Sequence, residues 1–128
     1  MTELRELMNA TVVSTAPERS VAEAAAAMMQ AKVGSAVVMQ GAWLAGILTE
    51  RDVLRAAASG EDLNASAVSK WMTPDPQSAT PDTSVDDAAQ LMLLNGFRHL
   101  PVVEGSEVRG VVSIRDLLAA RIRRPARD

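Results

Sequence analysis

The chain has 128 residues, of which 48% are hydrophobic and 23% are charged, with a formal net charge of −3. This length and apolar content are enough for one compact domain, and the small net charge creates no field that would gather nucleic acid. The absence of cysteine excludes disulfides, zinc ribbons and thiol nucleophiles. The start, MTELRELMNA, lacks the apolar run of a signal peptide, and no segment approaches the roughly 18 apolar residues of a membrane span. We therefore expect a soluble, cytoplasmic protein.

The first half of the chain predicts five elements in order. A short strand over 11–15 precedes Ser20, a serine N-cap followed three residues later by an acid, and this pattern is typical of a helix start. Two apolar runs, SAVVMQ and LAGILT, flank Gly41 and predict a hairpin. A second helix is expected from about Glu50. The order is strand, helix, strand, strand, helix, which belongs to the α+β class.

The second half repeats the first. Met8 falls on Met72, a shift of 64 residues, and the same shift aligns the rest of the chain without a gap. Identities in residue types that composition alone does not explain include Pro17 with Pro81, Gly46 with Gly110, Arg51 with Arg115, and Asp52 with Asp116. We infer a duplication, with a second helix expected from about Ile114 in the second copy.

This organisation predicts a first repeat over 1–60, a polar linker over 61–70, a second repeat over 71–122 and a basic tail over 123–128. The arginines near the end are interpreted as a solvated helix end that complements the helix dipole, in preference to a site for an anionic partner. They are Arg121, Arg123, Arg124 and Arg127.

A site motif lies where the last strand of each copy runs into its second helix. In the first copy Thr49 and Asp52 are three residues apart, so both side chains converge on the helix N-terminus, where free N–H groups favour an anion. A phosphate could lie beside the hydroxyl and Arg51, and the carboxylate is suited to accept hydrogen bonds from a sugar diol. Thr-x-x-Asp is also a plain capping arrangement. The recurrence of glycine, hydroxyl, arginine and aspartate in both copies favours a ligand site.

The chain resembles a tandem pair of CBS domains, the stand-alone Bateman-type regulatory module named after cystathionine beta-synthase. The resemblance rests on residues 71–74 (WMTP), residues 96–103 (GFRHLPVV) and the two site motifs, together with their order along the chain and the duplication of the unit. It implies two βαββα units packed about a pseudo-twofold axis. It also implies clefts between the copies that bind adenosine compounds such as AMP, ADP, ATP or S-adenosylmethionine, with no cofactor required.

The resemblance also assigns roles to residues. Asp52 and Asp116 would hold ribose hydroxyls. The implied ligand-binding sets are Ile47, Thr49, Arg51 and Asp52 in the first motif, and Val111, Ser113, Arg115 and Asp116 with Arg98 and His99 in the second copy. Each cleft in the family also draws on the other copy, so the base would be flanked by Ala16, Val21, Val33 and Gly34 in the cleft of Asp116, and by Thr80, Val85 and Phe97 in the cleft of Asp52.

The two clefts are not expected to be equivalent. The second copy carries Arg98 and His99 where the first carries Gly34 and Ser35. Since charge-assisted hydrogen bonds from arginine are the stronger kind, we expect a phosphorylated ligand to bind first in the cleft of Asp116.

Other functions are less well supported by the residues. His99 is the only histidine, so a histidine metal cluster and a two-histidine relay are excluded, and no G-x-S-x-G elbow indicates a hydrolase. We predict no enzyme. Two tryptophans, one phenylalanine and no tyrosine make a poor stacking platform, so nucleic acid is not an expected partner.

The leading hypothesis is an adenine-nucleotide sensor that modulates an unidentified partner protein. The alternative is a structural dimerisation module with vestigial clefts.

A homodimer is predicted from the first helix. Over 21–31 only Glu23 and Gln30 are polar, so the helix is apolar around most of its circumference. One face can pack on its own sheet, and the remaining apolar surface would be buried by a second copy of the chain. The resemblance indicates the same, because CBS pairs usually associate through their helices.

Overall fold

The computed structural model describes residues 2–123 and confirms the α+β class. The first copy has the predicted order of strand, helix, strand, strand and helix, whereas the first strand of the second copy is reduced to a single bridge at Ala79. A short helix and a short strand between the copies were not predicted. The helices are α1 Val21–Ala31, α2 Glu50–Ala58, α3 Val68–Trp71, α4 Val85–Asn95 and α5 Ile114–Arg123, with a 3-10 helix at Leu4–Glu6. The strands are β1 Ser14–Thr15, β2 Ser35–Gln40, β3 Trp43–Thr49, β4 Thr73–Pro74, β5 His99–Glu104 and β6 Glu107–Ser113. The interpretation of the basic tail concerns side chains beyond position 120, which lie outside the described part of the chain.

The helix starts follow from their capping residues. Ser20 Oγ accepts a hydrogen bond from the Glu23 amide at 3.1 Å, and the Glu23 carboxylate accepts one from the Ser20 amide at 3.3 Å. Ser84 Oγ accepts from the Asp87 amide at 3.1 Å. These bonds satisfy amide groups that the first helical turn leaves without an intrahelical partner. The predicted caps of α1 and α4 are therefore confirmed.

Each copy contains an antiparallel hairpin at the predicted place. β2 pairs with β3 and β5 pairs with β6, and the two hairpins turn at Gly41 (φ 63°) and Gly105 (φ 64°). In the first copy β1 adds to β2 in parallel and β4 adds to β3 in the antiparallel sense, which gives the sheet order β1-β2-β3-β4. In the second copy the corresponding outer pairings are single bridges, Ala79 with Val102 and Asn9 with Val111.

Internal contacts divide the chain into two units. The first unit is Thr11–Pro76, and the second combines Met1–Ala10 with Gln77–Asp128. Residues 2–10 therefore pack with the second copy and not with the first. Within residues 61–70, Val68 is fully buried in the core of the first unit. The limits given above for the repeats and the linker stay predictions.

The N-terminal segment packs within the second unit in the same way as α3 and β4 pack within the first. Leu4 N donates to Thr83 O at 2.9 Å, and Asn9 pairs with Val111. At the offset of 64 residues the same two contacts join Val68 N to Arg19 O, at 2.8 Å, and Thr73 to Ile47. The duplication therefore extends to the packing of the segment that precedes each sheet.

This packing explains the glycine of each site motif. A Cβ atom on Gly110 would lie 2.9 Å from the carbonyl oxygen of Asn9 and 3.0 Å from Met8 Cγ. A Cβ atom on Gly46 would lie 2.9 Å from the carbonyl oxygen of Thr73 and 2.6 Å from Met72 Sδ. Real Cβ atoms do not approach backbone oxygens this closely, so both positions need glycine for close packing. The recurring glycines thus belong to the scaffold that carries the motif.

Each unit has its own apolar core. The core of the first unit consists of Ala24, Met28, Ala36, Val38, Leu48 and Val68. The core of the second unit consists of Leu4, Ala88, Met92, Leu100, Val102, Val112 and Leu117. Within residues 2–123, no helix is both long enough and apolar enough to cross a membrane.

We predict that Leu4→Ala lowers the free energy of unfolding by about 2–5 kcal/mol, because Leu4 is fully buried in the core of the second unit and its loss leaves a cavity. Urea unfolding followed by circular dichroism measures the change. Arg5→Ala is the control, since its exposed ion pair with Glu3 contributes at most about 1 kcal/mol. If both variants had the same small effect, the N-terminal segment would not be part of the second unit.

Candidate functional site

The motif of the first copy is a reciprocal capping box at the start of α2. Asp52 Oδ2 accepts hydrogen bonds from Thr49 N at 2.8 Å and from Thr49 Oγ1 at 3.0 Å, and Thr49 Oγ1 accepts from Asp52 N at 3.3 Å. The capping interpretation of Thr-x-x-Asp is therefore correct for this copy. The box fixes both side chains at the helix N-terminus, where the helix dipole favours negative charge.

The second copy builds the same box with a serine. Asp116 Oδ2 accepts from Ser113 N at 2.8 Å, and Ser113 Oγ accepts from Asp116 N at 3.1 Å. Within the described residues, Oδ1 of Asp116 accepts no hydrogen bond, and the residue is half-buried. This carboxylate oxygen keeps its acceptor capacity for another molecule.

The sheet brings the predicted phosphate-binding residues of the second copy together. His99 is the strand partner of Ser113, and Ile114 N donates to Arg98 O at 2.8 Å. Arg98 therefore lies beside the first residue of α5, and Arg115 is the second residue of that helix. Both arginines are exposed. Two guanidinium-bearing residues and a helix N-terminus thus share one end of the second unit, where an anion would be favoured.

The first copy has the same backbone arrangement, but Gly34 and Ser35 stand where the second copy has Arg98 and His99. Ser35 is the strand partner of Thr49, and Glu50 N donates to Gly34 O at 2.9 Å. Arg51 is exposed on α2. The predicted inequality of charge between the two copies therefore holds at equivalent positions of the fold.

Arg55 is the site residue that the sequence reasoning missed. Its Nη1 lies 2.8 Å from Asp52 Oδ1, and Asp52 is only 6% exposed. The guanidinium also lies over the ring of Trp71, 5.4 Å from the centroid, in cation–π geometry. The spacing of three residues between Asp52 and Arg55 was the available signal, because such residues are neighbours on a helix surface.

A second cation lies over the same ring. Lys70 Nζ is 5.7 Å from the centroid of Trp71 and forms an ion pair with Glu61. Ser66 Oγ donates to Glu61 Oε1 at 2.7 Å. The hydrogen bond from Lys70, with that from Ser66, holds the pKa of the Glu61 carboxyl below its usual value. Glu61 therefore stays charged and ties α3 to the segment before it.

The residues predicted to flank a base are distributed over both units. Val21 is fully buried at the start of α1, and Phe97 is half-buried against the core of the second unit. Of the others, Thr80 is exposed, and Ala16, Val33, Gly34 and Val85 are half-buried. Of the two apolar residues of the site motifs, Ile47 is buried and Val111 is half-buried. The predicted clefts combine residues of the two units, so these base contacts stay predictions. Among the described residues, no group of three His, Asp or Glu side chains is placed to hold a metal ion.

Comparison with known proteins agrees with this architecture. The CBS domain family model matches residues 4–59 and again 67–123. An uncharacterised 17.7 kDa protein of Acidianus ambivalens is 42% identical over 93% of this chain and 73% of its own length.

Solved structures show the same fold. A putative signal-transduction protein with CBS domains from Burkholderia ambifaria is 28% identical, with a TM-score of 0.89 over 99% of this chain and 98% of its own. The CBS domain pair of protein MJ0100 has a TM-score of 0.85 at 23% identity and covers 94% of this chain and 96% of its own. The chain therefore belongs to the CBS-domain family, as a tandem pair of CBS domains.

Proposed function

We propose that this protein is a regulatory module that binds an adenosine-containing ligand and thereby changes its affinity for a partner protein. CBS-domain pairs are regulatory modules. The CBS pair of MJ0100 was crystallised in complex with 5′-methylthioadenosine and S-adenosyl-L-methionine. The observation that carries the proposal for this chain is the carboxylate of Asp116, which is fixed by Ser113 and keeps one oxygen without a partner among the described residues.

The chemistry around Asp116 suits a nucleoside with a phosphate. Ionised carboxylate oxygens accept hydrogen bonds only, so a vicinal diol that donates two hydroxyl protons is a complementary ligand group. The N-terminus of α5 and the side chains of Arg98 and Arg115 supply positive charge for a phosphate at the same end of the unit. AMP, ADP or ATP would use both features, whereas adenosine or S-adenosylmethionine would use mainly the carboxylate.

A structural module with vestigial clefts is the competing function. It would have no need for a half-buried carboxylate oxygen that keeps its acceptor capacity. Regulation also requires the ligand to prefer one conformation or one assembly over another. Thermal melting with AMP, ADP, ATP, S-adenosylmethionine and NAD separates the two functions, because a ligand at 100 times its Kd stabilises the fold by about 2.7 kcal/mol.

We expect Asp116→Ala to weaken AMP or ATP binding by roughly tenfold or more. A hydrogen bond to a charged group contributes about 1.5–3 kcal/mol, and the diol would lose its charged acceptor. Isothermal titration calorimetry measures the change. Asp116→Asn is the matched variant, since its amide oxygen still caps α5 but carries no charge.

Two further variants test the assignment to Asp116. Asp52→Ala should weaken binding less, and Arg98→Ala should weaken AMP and ATP while leaving adenosine unchanged. Equal losses from Asp52→Ala and Asp116→Ala would contradict the assignment. An effect of Arg98→Ala on adenosine as large as that on ATP would show that Arg98 does not contact phosphate.

The helical surfaces support the homodimer as part of this proposal. α1 packs against α2, and α4 packs against α5. Each pair exposes large apolar side chains at equivalent positions: Met29 (79%) and Leu54 (70%) in the first unit, and Leu93 (75%) and Leu118 (55%) in the second. Retention of both pairs after duplication favours a second copy of the chain as their cover, since exposed apolar surface of this kind is characteristic of protein interfaces.

The double variant Met29→Glu, Leu93→Glu should raise the Kd of the dimer by about 100-fold or more, because burying each apolar side chain contributes about 1.5–3 kcal/mol and a buried charge adds a penalty. Multi-angle light scattering across a concentration series measures this. Trp43→Glu is the control, because Trp43 is also an exposed apolar residue (56%) but lies on strand β3 and not on the helical surface. A wild-type monomer at micromolar concentration, with or without nucleotide, would refute the dimer.

A further inference from the structure

We infer that Arg55 occupies the ribose acceptor of the first copy, so that the Asp52 site is closed by a side chain of its own helix and nucleotide binding is confined to the Asp116 site. This inference rests on the proposed function and names the residue that decides which of two duplicated sites accepts a ligand.

The first step is the count of acceptor positions on Asp52. Oδ2 accepts two hydrogen bonds, from Thr49 N and Thr49 Oγ1, and these use both of its lone pairs. Oδ1 accepts from Arg55 Nη1 at 2.8 Å. The Asp52 side chain is 8% exposed. A diol therefore finds one lone pair on a covered carboxylate, and Arg55 must leave before two hydroxyls can bind.

The second step is that Arg55 is held from both sides. Its bond to Asp52 is charge-assisted, and such bonds are roughly twice as strong as those between neutral groups. Its guanidinium also lies 5.4 Å from the centre of the Trp71 ring, which attracts a cation. Trp71 itself is anchored by α3, whose Val68 is fully buried. A hydroxyl that replaced Arg55 would still bond to the charged carboxylate, but the attraction between the two opposite charges and the contact with Trp71 would both be lost.

The third step is that the second copy lacks both parts of this arrangement. At the offset of 64 residues, Arg55 corresponds to Ala119 and Trp71 corresponds to Leu7. Among the described residues, Asp116 consequently accepts one hydrogen bond, from Ser113 N, where Asp52 accepts three. One of the two extra bonds to Asp52 comes from the Thr49 hydroxyl and ends on Oδ2. The other comes from Arg55 and ends on Oδ1, so the difference at Oδ1 follows from one side chain on each helix.

The test exchanges the two residues and counts sites by calorimetry. The probes are AMP and 5′-methylthioadenosine, which share the ribose diol, and the second carries no phosphate and so does not depend on Arg98. Wild type should bind one 5′-methylthioadenosine per chain. Arg55→Ala should bind two, and adding Asp52→Asn should remove the new site. Ala119→Arg should weaken the Asp116 site by about tenfold or more, since the acceptor becomes paired.

Two controls keep the test specific. Arg19→Ala removes an equally exposed arginine of the same unit, whose partner is Glu23, and should leave the number of sites at one. Because Trp43 is also fluorescent, the emission of Trp71 is measured in a Trp43→Phe background. It should change in Arg55→Ala and not in Arg19→Ala, which verifies in the absence of ligand that the guanidinium lies on the ring. Ala119→Lys places a different cation at the same position and is measured beside Ala119→Arg. Melting curves verify that both variants are folded.

The outcomes separate this inference from the proposed function. Two sites of equal affinity in wild type, or one unchanged site in Arg55→Ala, would overturn the role of Arg55 and leave the proposed function standing. Absence of binding to wild type and to every variant would overturn the proposed function, and this inference with it. A second site that appears in Arg55→Ala and disappears with Asp52→Asn supports both.

Discussion

The structure depends on one interaction, the reciprocal hydrogen bonding between a hydroxyl residue at the end of a strand and an aspartate one turn into the next helix. Thr49 is at once the last residue of β3, the strand partner of Ser35 and the N-cap of α2. Its bonds with Asp52 therefore fix the point at which the sheet becomes a helix. The same bonds hold the carboxylate at the positive end of the helix, so the interaction that starts the helix also positions the hydrogen-bond acceptor.

Duplication preserved this backbone arrangement and changed the charges around it. Ser35 pairs with Thr49 as His99 pairs with Ser113, and the first residue of each helix donates to an equivalent carbonyl. Side chains then make the copies unequal: Arg98 lies beside the start of the second helix where the first copy has Gly34, and Arg55 pairs with the aspartate of the first copy. Backbone pairing tolerates such exchanges because the residues concerned are exposed, so two sites can diverge without a cost to the fold.

The sequence allowed the elements and the motif to be predicted, because capping spacing, alternating apolar runs and a constant offset are local or periodic signals. The contacts of the N-terminal segment could not be predicted from such signals. Identity of Met8 with Met72 indicated equivalent roles, but local propensity carries no information on which copy residues 2–10 contact, about a hundred positions away in the case of Val111. Arg55 was missed. Its spacing of three residues from Asp52 was a local signal for an ion pair that could have been used, whereas its position over Trp71 depends on the packing of α3.

In the second copy the same helix carries the candidate site and an exposed apolar side chain, which gives the proposed regulation a physical route. Asp116 is in the first turn of α5, and Leu118, 55% exposed, follows two residues later. A rigid helix cannot move its N-terminus toward a ligand without moving the side chains of its next turn. If ligand binding changes the position of α5, it changes the fit of that surface to its partner, and by thermodynamic linkage the partner changes ligand affinity by the same factor. A ligand that left α5 in place in both assembly states would transmit nothing by this route, however tightly it bound.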